Sequence, residues 1–572
     1  MTVGGKPDRA PSRLLIVAAA GYGKSAALDA ACPPGGVVCA AGDLQWDWPP
    51  DTPFVGVDDF DRIDAEEQGR LAVRLSRLLP TTALMIASRE PVAPEVVSAL
   101  GGQVFRRGPA DLALSEYAVA RVLDEEYATT DPDAAAAVVE TTGGWPALVH
   151  FAGDRLRSHP ATELLTDLAQ PGSACADWIA AQVTATIPAR TRSLLGALAR
   201  IGPITPATVA VVDETAASAA VLAELTELGV LVRDVGLRPA RHQVVVPLVA
   251  ACLARDASPL APTLLGRIAQ AHHDDGLWRA ALRAWVMAGH QSAAVRLAVD
   301  QGRSLARGGN PGETAELLTG IDDTDALLVR AEALRLAGAT EDGRRLLRSL
   351  AGDTDDAPLS TRVATCLAGC LYTEGDHRAA LAILNRAGRT GETSRAGDRR
   401  TRVDHVEWLA ARTQVLSMLG ERESARLLAA EALREAERDD DPWALSAAHL
   451  ASSRVVSGTR KELHLDRALR YATGAGDVAT AAGVRVNQAH LLLASARFAD
   501  AVGVGREAVR LCELAGGSGR LPAALHNLGE ALMRVGEFDE AAWQYRRGAA
   551  AARRLGAGRA GLGLLGTAEI HR

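Results

Sequence analysis

The fold of the N-terminal part is decided by one stretch, LLIVAAAGYGKSAALDAA, residues 14–31. Its first four residues form a continuous apolar run, which predicts a strand buried on both faces of a parallel sheet. Residues 18–25 match the phosphate-binding pattern G-x-x-x-x-G-K-[ST], except that Ala18 stands at the first glycine position. The residues that follow predict a helix. Strand, glycine-rich loop and helix therefore come in the order that a P-loop requires.

The residue types in this loop suit a bound polyphosphate. Gly21 and Gly23 let the backbone approach phosphate closely and direct N–H groups at its oxygens, and the helix dipole adds to the attraction. Lys24 supplies a compact positive charge for the outer phosphates, and Ser25 supplies an oxygen ligand for Mg²⁺. Only three of the 62 lysines and arginines are lysines. A lysine at position 24 therefore indicates a requirement that arginine does not meet.

Two further apolar runs end in polar residues. The run at 54–57 leads into Asp58 and Asp59, and the next run leads to Arg89. In open α/β sheets, ligands bind at the carboxyl ends of the strands. We expect Asp58 to hold Mg²⁺, Asp59 to polarise the attacking water and Arg89 to reach the γ-phosphate. With a last short strand at 103–106, the pattern predicts a five-stranded parallel sheet.

Beyond residue 110 the apolar period changes to that of helices. The sequence TGGWPALVH, residues 142–150, places Pro146 in the first turn of a helix, where proline is common. Residues 173–256 predict several helices, an apolar hairpin and a further helix that begins at Pro247.

The C-terminal part contains internal repeats. The stretch 525–545 is close to the tetratricopeptide pattern, and a shift of 40 residues aligns Phe498 and Ala501 with Phe538 and Ala541. Each repeat is a helix pair that cannot bury its apolar face alone, so stacking predicts a superhelix with a concave surface. Such surfaces bind peptides, proteins or small effectors. An unrelated helical bundle is the alternative.

Composition excludes several classes of protein. The formal charge of −8 argues against a dominant nucleic-acid-binding surface. The seven cysteines lack the spacing of zinc ligands and are expected to be reduced thiols. The N-terminus lacks the apolar region of a secretory signal, and no apolar run near it approaches the ~20 residues of a membrane span. These features predict a cytoplasmic protein without a membrane partner.

The motifs AAAGYGKSAAL, VGVDDFD, IASREP and TGGWPALVH follow one another in this order. Together they resemble the signal transduction ATPases with numerous domains (STAND), and within them the MalT-like, LuxR-type large ATP-binding transcriptional regulators. The resemblance implies an α/β P-loop domain, a helical subdomain, a winged-helix domain and an α-solenoid of tetratricopeptide-like repeats. The implied boundaries are 1–110, 111–172, 173–256 and 257–572.

The resemblance also implies roles for individual residues. Nucleotide-binding residues are expected at Gly21, Tyr22, Gly23, Lys24, Ser25, Ala26, Asp58, Arg89 and Pro146. Asp59 and Lys24 are expected to be catalytic, Ser25 and Asp58 to bind Mg²⁺, and Pro146 to lie against the base. Relatives often carry a histidine before the proline that starts the helix at 247. Here that position is Val246, and His242 is expected to be an exposed hairpin residue.

The favoured interpretation is a switch controlled by ATP and ADP with slow hydrolysis. ADP would hold a closed monomer, whereas ATP and a small-molecule or protein inducer at the repeats would favour an open, self-associating form. The alternatives are a scaffold or defence-type sensor with another effector, and a dedicated turnover ATPase. Residues 561–572 resemble the first helix of a further pair. They predict a longer protein in which a C-terminal helix-turn-helix contacts DNA, while the present chain does not.

Overall fold

The computed structural model describes residues 13–43, 48–49, 52–79, 81–101, 103–213, 218–233, 243–255, 257–351, 359–388, 399–517 and 519–554. Their contacts divide them into two compact units, of which the first extends to Leu264 and the second begins at Leu265. His242 and the predicted last helix at 561–572 lie outside the described residues. The domain boundaries predicted from the sequence stay predictions.

The first unit is built on a five-stranded parallel sheet, which confirms the predicted fold class. Its strands are β1 (Arg13–Val17), β2 (Val37–Ala40), β3 (Phe54–Asp58), β4 (Ala83–Ser88) and β5 (Phe105–Arg107). Their order in the sheet is β2-β3-β4-β1-β5. Strand β4 pairs in parallel with both β1 and β3. The carboxyl ends of these three strands therefore meet at one edge, where the loop after β1 and the acidic residues after β3 come together.

Burial explains why the apolar runs form strands. Leu15 and Ile16 of β1 are buried, as are Val55 and Val57 of β3. The helices connecting the strands are α1 (Lys24–Ala31), α2 (Ala65–Leu75) and α3 (Pro94–Ala99). Helix α2 begins where the side chain of Asp64 accepts a hydrogen bond from the backbone N–H of Glu67, as an N-cap does.

The remainder of the first unit is mostly helical. Its elements are α4 (Pro109–Leu112), α5 (Glu116–Tyr127), α6 (Pro132–Thr142), α7 (Pro146–Leu156), α8 (Leu164–Leu168), α9 (Ala174–Gln182), α10 (Ala189–Ala199), α11 (Pro206–Val212), α12 (Ser218–Leu228), the antiparallel strands β6 (Leu231–Arg233) and β7 (Gln243–Val245), and α13 (Pro247–Arg255). Elements α9 to α13 and the hairpin occupy the region expected to be a winged-helix domain. That name stays a prediction.

The second unit consists of stacked helix pairs, as the repeat pattern predicts. The helices are α14 (Pro262–Asp274), α15 (Trp278–Met287), α16 (Gln291–Arg307), α17 (Pro311–Leu317), α18 (Thr324–Leu336), α19 (Thr340–Ala351), α20 (Thr361–Glu374), α21 (His377–Gly388), α22 (Arg399–Leu419), α23 (Arg422–Asp439), α24 (Pro442–Val455), α25 (Thr459–Ala475), α26 (Val478–Ala494), α27 (Phe498–Leu514), α28 (Leu521–Val535) and α29 (Phe538–Arg554). Small buried residues such as Ala468 and Ala508 let neighbouring helices pack closely. Within the described ranges, no helix is both long enough and apolar enough to cross a membrane.

Repeats that are far apart in sequence also meet inside the second unit. The backbone N–H of Asn310 donates to the carbonyl of Leu514 at 2.7 Å. Gly516 has a φ of +100°, and a Cβ there would lie 2.6 Å from the carbonyl oxygen of Leu336. The segment between α27 and α28 thus lies against the ends of α16 and α18, so the coil of repeats closes on itself.

Candidate functional site

The loop between β1 and α1 depends on two glycines in left-handed conformations. Gly21 has a φ of +78° and Gly23 a φ of +76°. A Cβ on Gly21 would lie 2.6 Å from the Cβ of Ala147 and 2.8 Å from the ring of Trp178. Both the positive φ and this crowding therefore exclude a side chain at position 21. Gly23 is the N-cap of α1 and offers no side-chain hydrogen bond to the first turn. The first N–H groups of α1 have no partners within the helix, and such a terminus attracts anions.

The carbonyl oxygens of residues 18–21 all accept hydrogen bonds from within the first unit. Lys24 Nζ donates to the carbonyl of Ala18 at 2.7 Å and to that of Ala19 at 2.9 Å. Trp145 Nε1 donates to the carbonyl of Ala20 at 3.0 Å. The backbone N–H of Ala147 donates to the carbonyl of Gly21 at 3.0 Å. In a trans peptide the N–H points away from the preceding carbonyl. The N–H groups of residues 20–22 therefore face away from these donors.

Lys24 lies at the centre of the site and is only 7% exposed. Burial lowers its pKa to about 8; the positive charge of Arg89 acts in the same direction, and Asp61, Asp58 and Asp59 oppose both. An ammonium group has three N–H donors. The carbonyls of residues 18 and 19 occupy two of them, so one N–H is left for a further acceptor.

The acidic residues lie where β3 ends, as predicted. The Oδ1 atom of Asp58 accepts the N–H of Asp59 at 2.8 Å. Asp59 has a φ of +52°, and its carboxylate lies 3.1 Å from Arg62 Nε and 3.6 Å from Arg89 Nη2. The backbone N–H of Arg89 donates to Asp61 Oδ1 at 2.6 Å. Arg89 is therefore held between two carboxylates, of which Asp61 is not among the predicted site residues.

The donor set at this edge suits Mg²⁺. Ser25 and Ala26 are exposed in the first turn of α1, and Asp58 is partly exposed at the end of β3. Hydroxyl and carboxylate oxygens are ligands that Mg²⁺ prefers, and the ion usually completes its shell with phosphate oxygens and water. Two protein ligands are thus sufficient for a nucleotide-bound ion. The roles of Ser25, Ala26 and Asp58 stay predictions.

Three aromatic residues, which we name the aromatic clamp, fasten the loop to the helical part of the unit. Tyr22 stacks on Trp145 with ring centroids 4.4 Å apart, and Trp178 packs edge-to-face with Trp145 with ring centroids 6.3 Å apart. The hydroxyl of Tyr22 donates to the carbonyl of Gly229 at 3.0 Å, and burial raises the pKa of this phenol. The N–H of Ala19 donates to the carbonyl of Leu228 at 2.9 Å. The loop thus touches both the start of α7 and the turn after α12.

Sequence reasoning missed Trp145 and Trp178. Trp145 lies within the quoted motif at 142–150 and could have been found there, whereas no motif contains Trp178. Pro146 is the first residue of α7, next to Ala147, which bonds the loop. Its contact with a base stays a prediction. Val246 is fully buried, and a Cβ on Gly143 would lie 3.7 Å from its side chain.

No model of a known protein family matches this chain, and no curated protein sequence matches it. Among solved structures, the chain is similar to a signal transduction ATPase with numerous domains that carries a tetratricopeptide repeat sensor, from Pyrococcus horikoshii. The two are 13% identical over 98% of this chain and 92% of that chain, with a TM-score of 0.35.

Two other solved structures are similar to parts of the chain. A Rap protein complexed with competence and sporulation factor is 14% identical over 50% of this chain and 77% of that chain, with a TM-score of 0.34. Yeast Tom70 is 15% identical over 54% and 80%, with a TM-score of 0.23. Similarities this weak carry no functional argument, so the function has to be argued from the site itself.

Proposed function

We propose that this chain is a nucleotide-dependent signalling switch, in which residues 18–26 bind ATP or ADP with Mg²⁺ and the helical repeats receive the signal. One observation carries the proposal: the carbonyl oxygens of four successive loop residues, 18–21, accept hydrogen bonds from donors within the protein. The loop N–H groups, the open terminus of α1 and the remaining N–H of Lys24 then form a set of donors. That set is complementary to a polyphosphate.

Ser25 and Asp58 would hold the magnesium ion, which neutralises charge on the phosphates. Asp59 would orient the attacking water. Because Asp59 is already paired with Arg62 and Arg89, it is available only when those pairs loosen. We infer slow hydrolysis, as suits a switch that has to persist in each state.

Arg89 gives the site a means to distinguish ATP from ADP. Its guanidinium lies 3.6 Å from Asp59, at the carboxyl end of the strand next to β1. A γ-phosphate is an anion that a guanidinium binds strongly, often with two hydrogen bonds. Arg89 would leave Asp59 for that phosphate when ATP is bound and return when only ADP is present.

The finer proposal is that the chain is the core of a cytoplasmic transcriptional regulator of the LuxR type. In that reading an inducer binds the repeats, the ATP-bound form self-associates, and DNA is contacted by a further domain. Support for it is the order of the four sequence motifs. Electrophoretic mobility shifts of random duplex DNA with this chain should be absent with and without ATP, and a strong shift would overturn this division of labour.

Calorimetric titration of the whole chain with ATP and with ADP, each with Mg²⁺, tests the nucleotide site. Lys24→Met removes one charge-assisted contact and should weaken binding by roughly ten- to a hundredfold, equivalent to ~1.5–3 kcal/mol. The matched control is Lys461→Met, the same substitution at a lysine on α25 of the second unit. It should bind as the natural chain does. Equal affinities for both variants, with unchanged circular dichroism, would overturn the assignment.

Phosphate release at steady state separates a switch from a turnover enzyme. We expect a rate well below roughly 1 s⁻¹, the low end of typical enzymes. Rapid turnover without any added effector would favour the dedicated ATPase instead.

A further inference from the structure

The interior of the second unit contains two groups of charged side chains with different characters. The first is an ion-pair network. Arg307 Nε lies 2.5 Å from Glu332 Oε1, and Arg307 Nη1 lies 2.7 Å from Glu407 Oε1 and 3.7 Å from Asp477. Arg303 pairs with Asp404 and Glu407 in the same network. Three of these carboxylates are at most 7% exposed, so the cations and carboxylates compensate one another in a dry interior.

The second group, which we name the arginine triad, consists of Arg335, Arg454 and Arg520. Throughout the described ranges, none of the three has a carboxylate within the 4.0 Å of an ion pair. Arg520 Nη1 donates to the carbonyl of Ala479 at 2.7 Å, and Arg454 bonds the phenol of Tyr372. Arg335 Nε is buried and, over the part of the chain that the structure describes, has no hydrogen-bond partner. Each guanidinium has five N–H donors, and within the described residues most donors of the triad have no protein acceptor.

The closure of the coil brings the triad together. Arg335 is the last but one residue of α18, Arg454 is the last but one residue of α24, and Arg520 directly precedes α28. The segment that contains Arg520 lies against the end of α18, where Gly516 approaches the carbonyl of Leu336. Helix α20 connects the third member, because Arg335 packs against its Gly369 and Arg454 bonds its Tyr372. Residues from three separate repeats therefore share one region.

Two glycines allow the guanidinium groups to lie against helix backbone. A Cβ on Gly369 would lie 3.4 Å from Arg335 Cζ, and a Cβ on Gly483 would lie 2.9 Å from Arg520 Cζ. The second contact is closer than a real Cβ makes, so Gly483 is required for this position of Arg520. Arg520, which also donates to the carbonyl of Ala479, is thus held in place before any ligand arrives, and this lowers the entropic cost of binding.

Electrostatics support a role for this arrangement beyond packing. Burial lowers the pKa of Arg454 and that of Arg520. Repulsion from Arg454 and Arg335 lowers the pKa of Arg520 further, whereas Cys512 and the carboxylate of Asp477 oppose the shift. All three residues are nevertheless partly exposed. Like charges held together in a partly desolvated region are relieved by an anion.

We propose that Arg335, Arg454 and Arg520 form a binding site for a compact organic polyanion with carboxylate or phosphate groups. Planar guanidinium groups bind both oxyanions through paired hydrogen bonds, which makes arginine better suited than lysine. Three cations from three repeats select a ligand with more than one negative charge. The binding itself is independent of the nucleotide site. Its consequence, a ligand at the repeats that biases the switch, rests on the proposed function.

Calorimetry with citrate and with inorganic pyrophosphate tests the site, in the Lys24→Met variant so that binding at the nucleotide loop is weakened. We expect saturable binding of at least one probe and weakening by about tenfold or more in Arg454→Gln, which loses a charge-assisted contact. Arg422→Gln, at an exposed position of α23, is the matched control and should bind as its parent does. Two acidic peptides, one with a free and one with an amidated C-terminus, show whether the natural ligand is a peptide or a free metabolite. Binding that requires the free C-terminus indicates a peptide carboxylate, and the failure of both peptides to bind indicates a free metabolite.

Thermal unfolding without ligand adds a result that a structural role would not give. Arg454→Gln removes a cation that has no carboxylate within ion-pair distance among the described residues, so the melting temperature should stay equal or rise, and the stabilisation by citrate should disappear. A lower melting temperature with undiminished citrate binding would overturn the proposal, as would the failure of every probe to bind at millimolar concentration. Neither result would affect the test of nucleotide binding by Lys24→Met.

Discussion

Raising the pH from about 7 to about 9 should weaken nucleotide binding, because Lys24 loses its proton in that range. Burial, and secondarily Arg89, lower the pKa of Lys24 from 10.5 to about 8. A polyphosphate beside the ammonium group favours its charged form and raises the pKa again. The bound state therefore keeps a proton that the free state loses. Affinity is fully present below the pKa of the free protein and falls as the pH rises through about 8.

The magnitude follows from the two pKa values. If the pKa of Lys24 in the nucleotide complex returns to the ordinary 10.5, the affinity at about pH 9 is about tenfold lower than at low pH. Above both pKa values the loss of affinity reaches its limit of roughly 300-fold. Stability changes in the opposite direction. The folded pKa lies below the unfolded one, so the contribution of Lys24 to the free energy of unfolding rises between about pH 8 and about pH 10.5, by at most ~3 kcal/mol. Titration of Lys24 therefore does not unfold the protein in this range.

Calorimetry at several pH values measures the affinity, and buffers of different ionisation enthalpy measure the proton uptake. At about pH 9 we expect roughly 0.9 protons to be taken up per nucleotide bound. The second ionisation of a phosphate lies near pH ~6, below this range, so the ligand contributes little. The Lys24→Met variant should bind nucleotide weakly, and its affinity should not change between about pH 7 and about pH 9. An affinity of the natural chain that stays constant to pH ~9, without proton uptake, would refute the reasoning.

Three further substitutions test the loop and its surroundings. Gly21→Ala should lower the melting temperature and the nucleotide affinity more than Gly172→Ala, because both positions have a φ of +78° but only the first is crowded; equal effects would exclude the steric argument. Trp145→Phe keeps the stacking but leaves a loop carbonyl without its donor, so unfolding should require ~1 kcal/mol less and nucleotide affinity should fall; unchanged denaturation curves would contradict this. Asp59→Asn should retain ATP binding but slow single-turnover cleavage, and an unaltered rate would remove Asp59 from the chemistry.

The sheet could be predicted where a strand is central, and poorly where it is at an edge. Strands β1 and β3 are buried apolar runs, and both lie within one residue of their predicted bounds. Strand β2 (Val37–Ala40) was not predicted, since it has four half-buried residues at the sheet edge. Strand β5 lies at 105–107 rather than 103–106, and its residues are exposed. An edge strand that buries neither face carries no clear apolar period.

The site residues on the loop follow from a local pattern, whereas their supports do not. Lys24 could be assigned because strand, loop and helix are contiguous in sequence. Gly229 and Trp178 hold the same loop from much later in the chain, through a hydrogen bond to Tyr22 and contacts with Gly21 and Trp145. No spacing rule connects such positions. The arginine triad escapes prediction for the same reason, since its members come from different places in three repeats.

A bound on the switch follows from the contacts at Arg89. A ligand shifts a two-state equilibrium only by its difference in affinity for the two states. If the γ-phosphate contributes one charge-assisted contact that Asp59 otherwise makes, ATP and ADP differ by at most ~1.5–3 kcal/mol at this position. Moving a population from about 1:99 to about 99:1 requires ~5.5 kcal/mol. Through this contact, ATP alone therefore does not shift the population completely from one state to the other. A second ligand has to supply the rest, which is the physical reason for a sensor on the same chain.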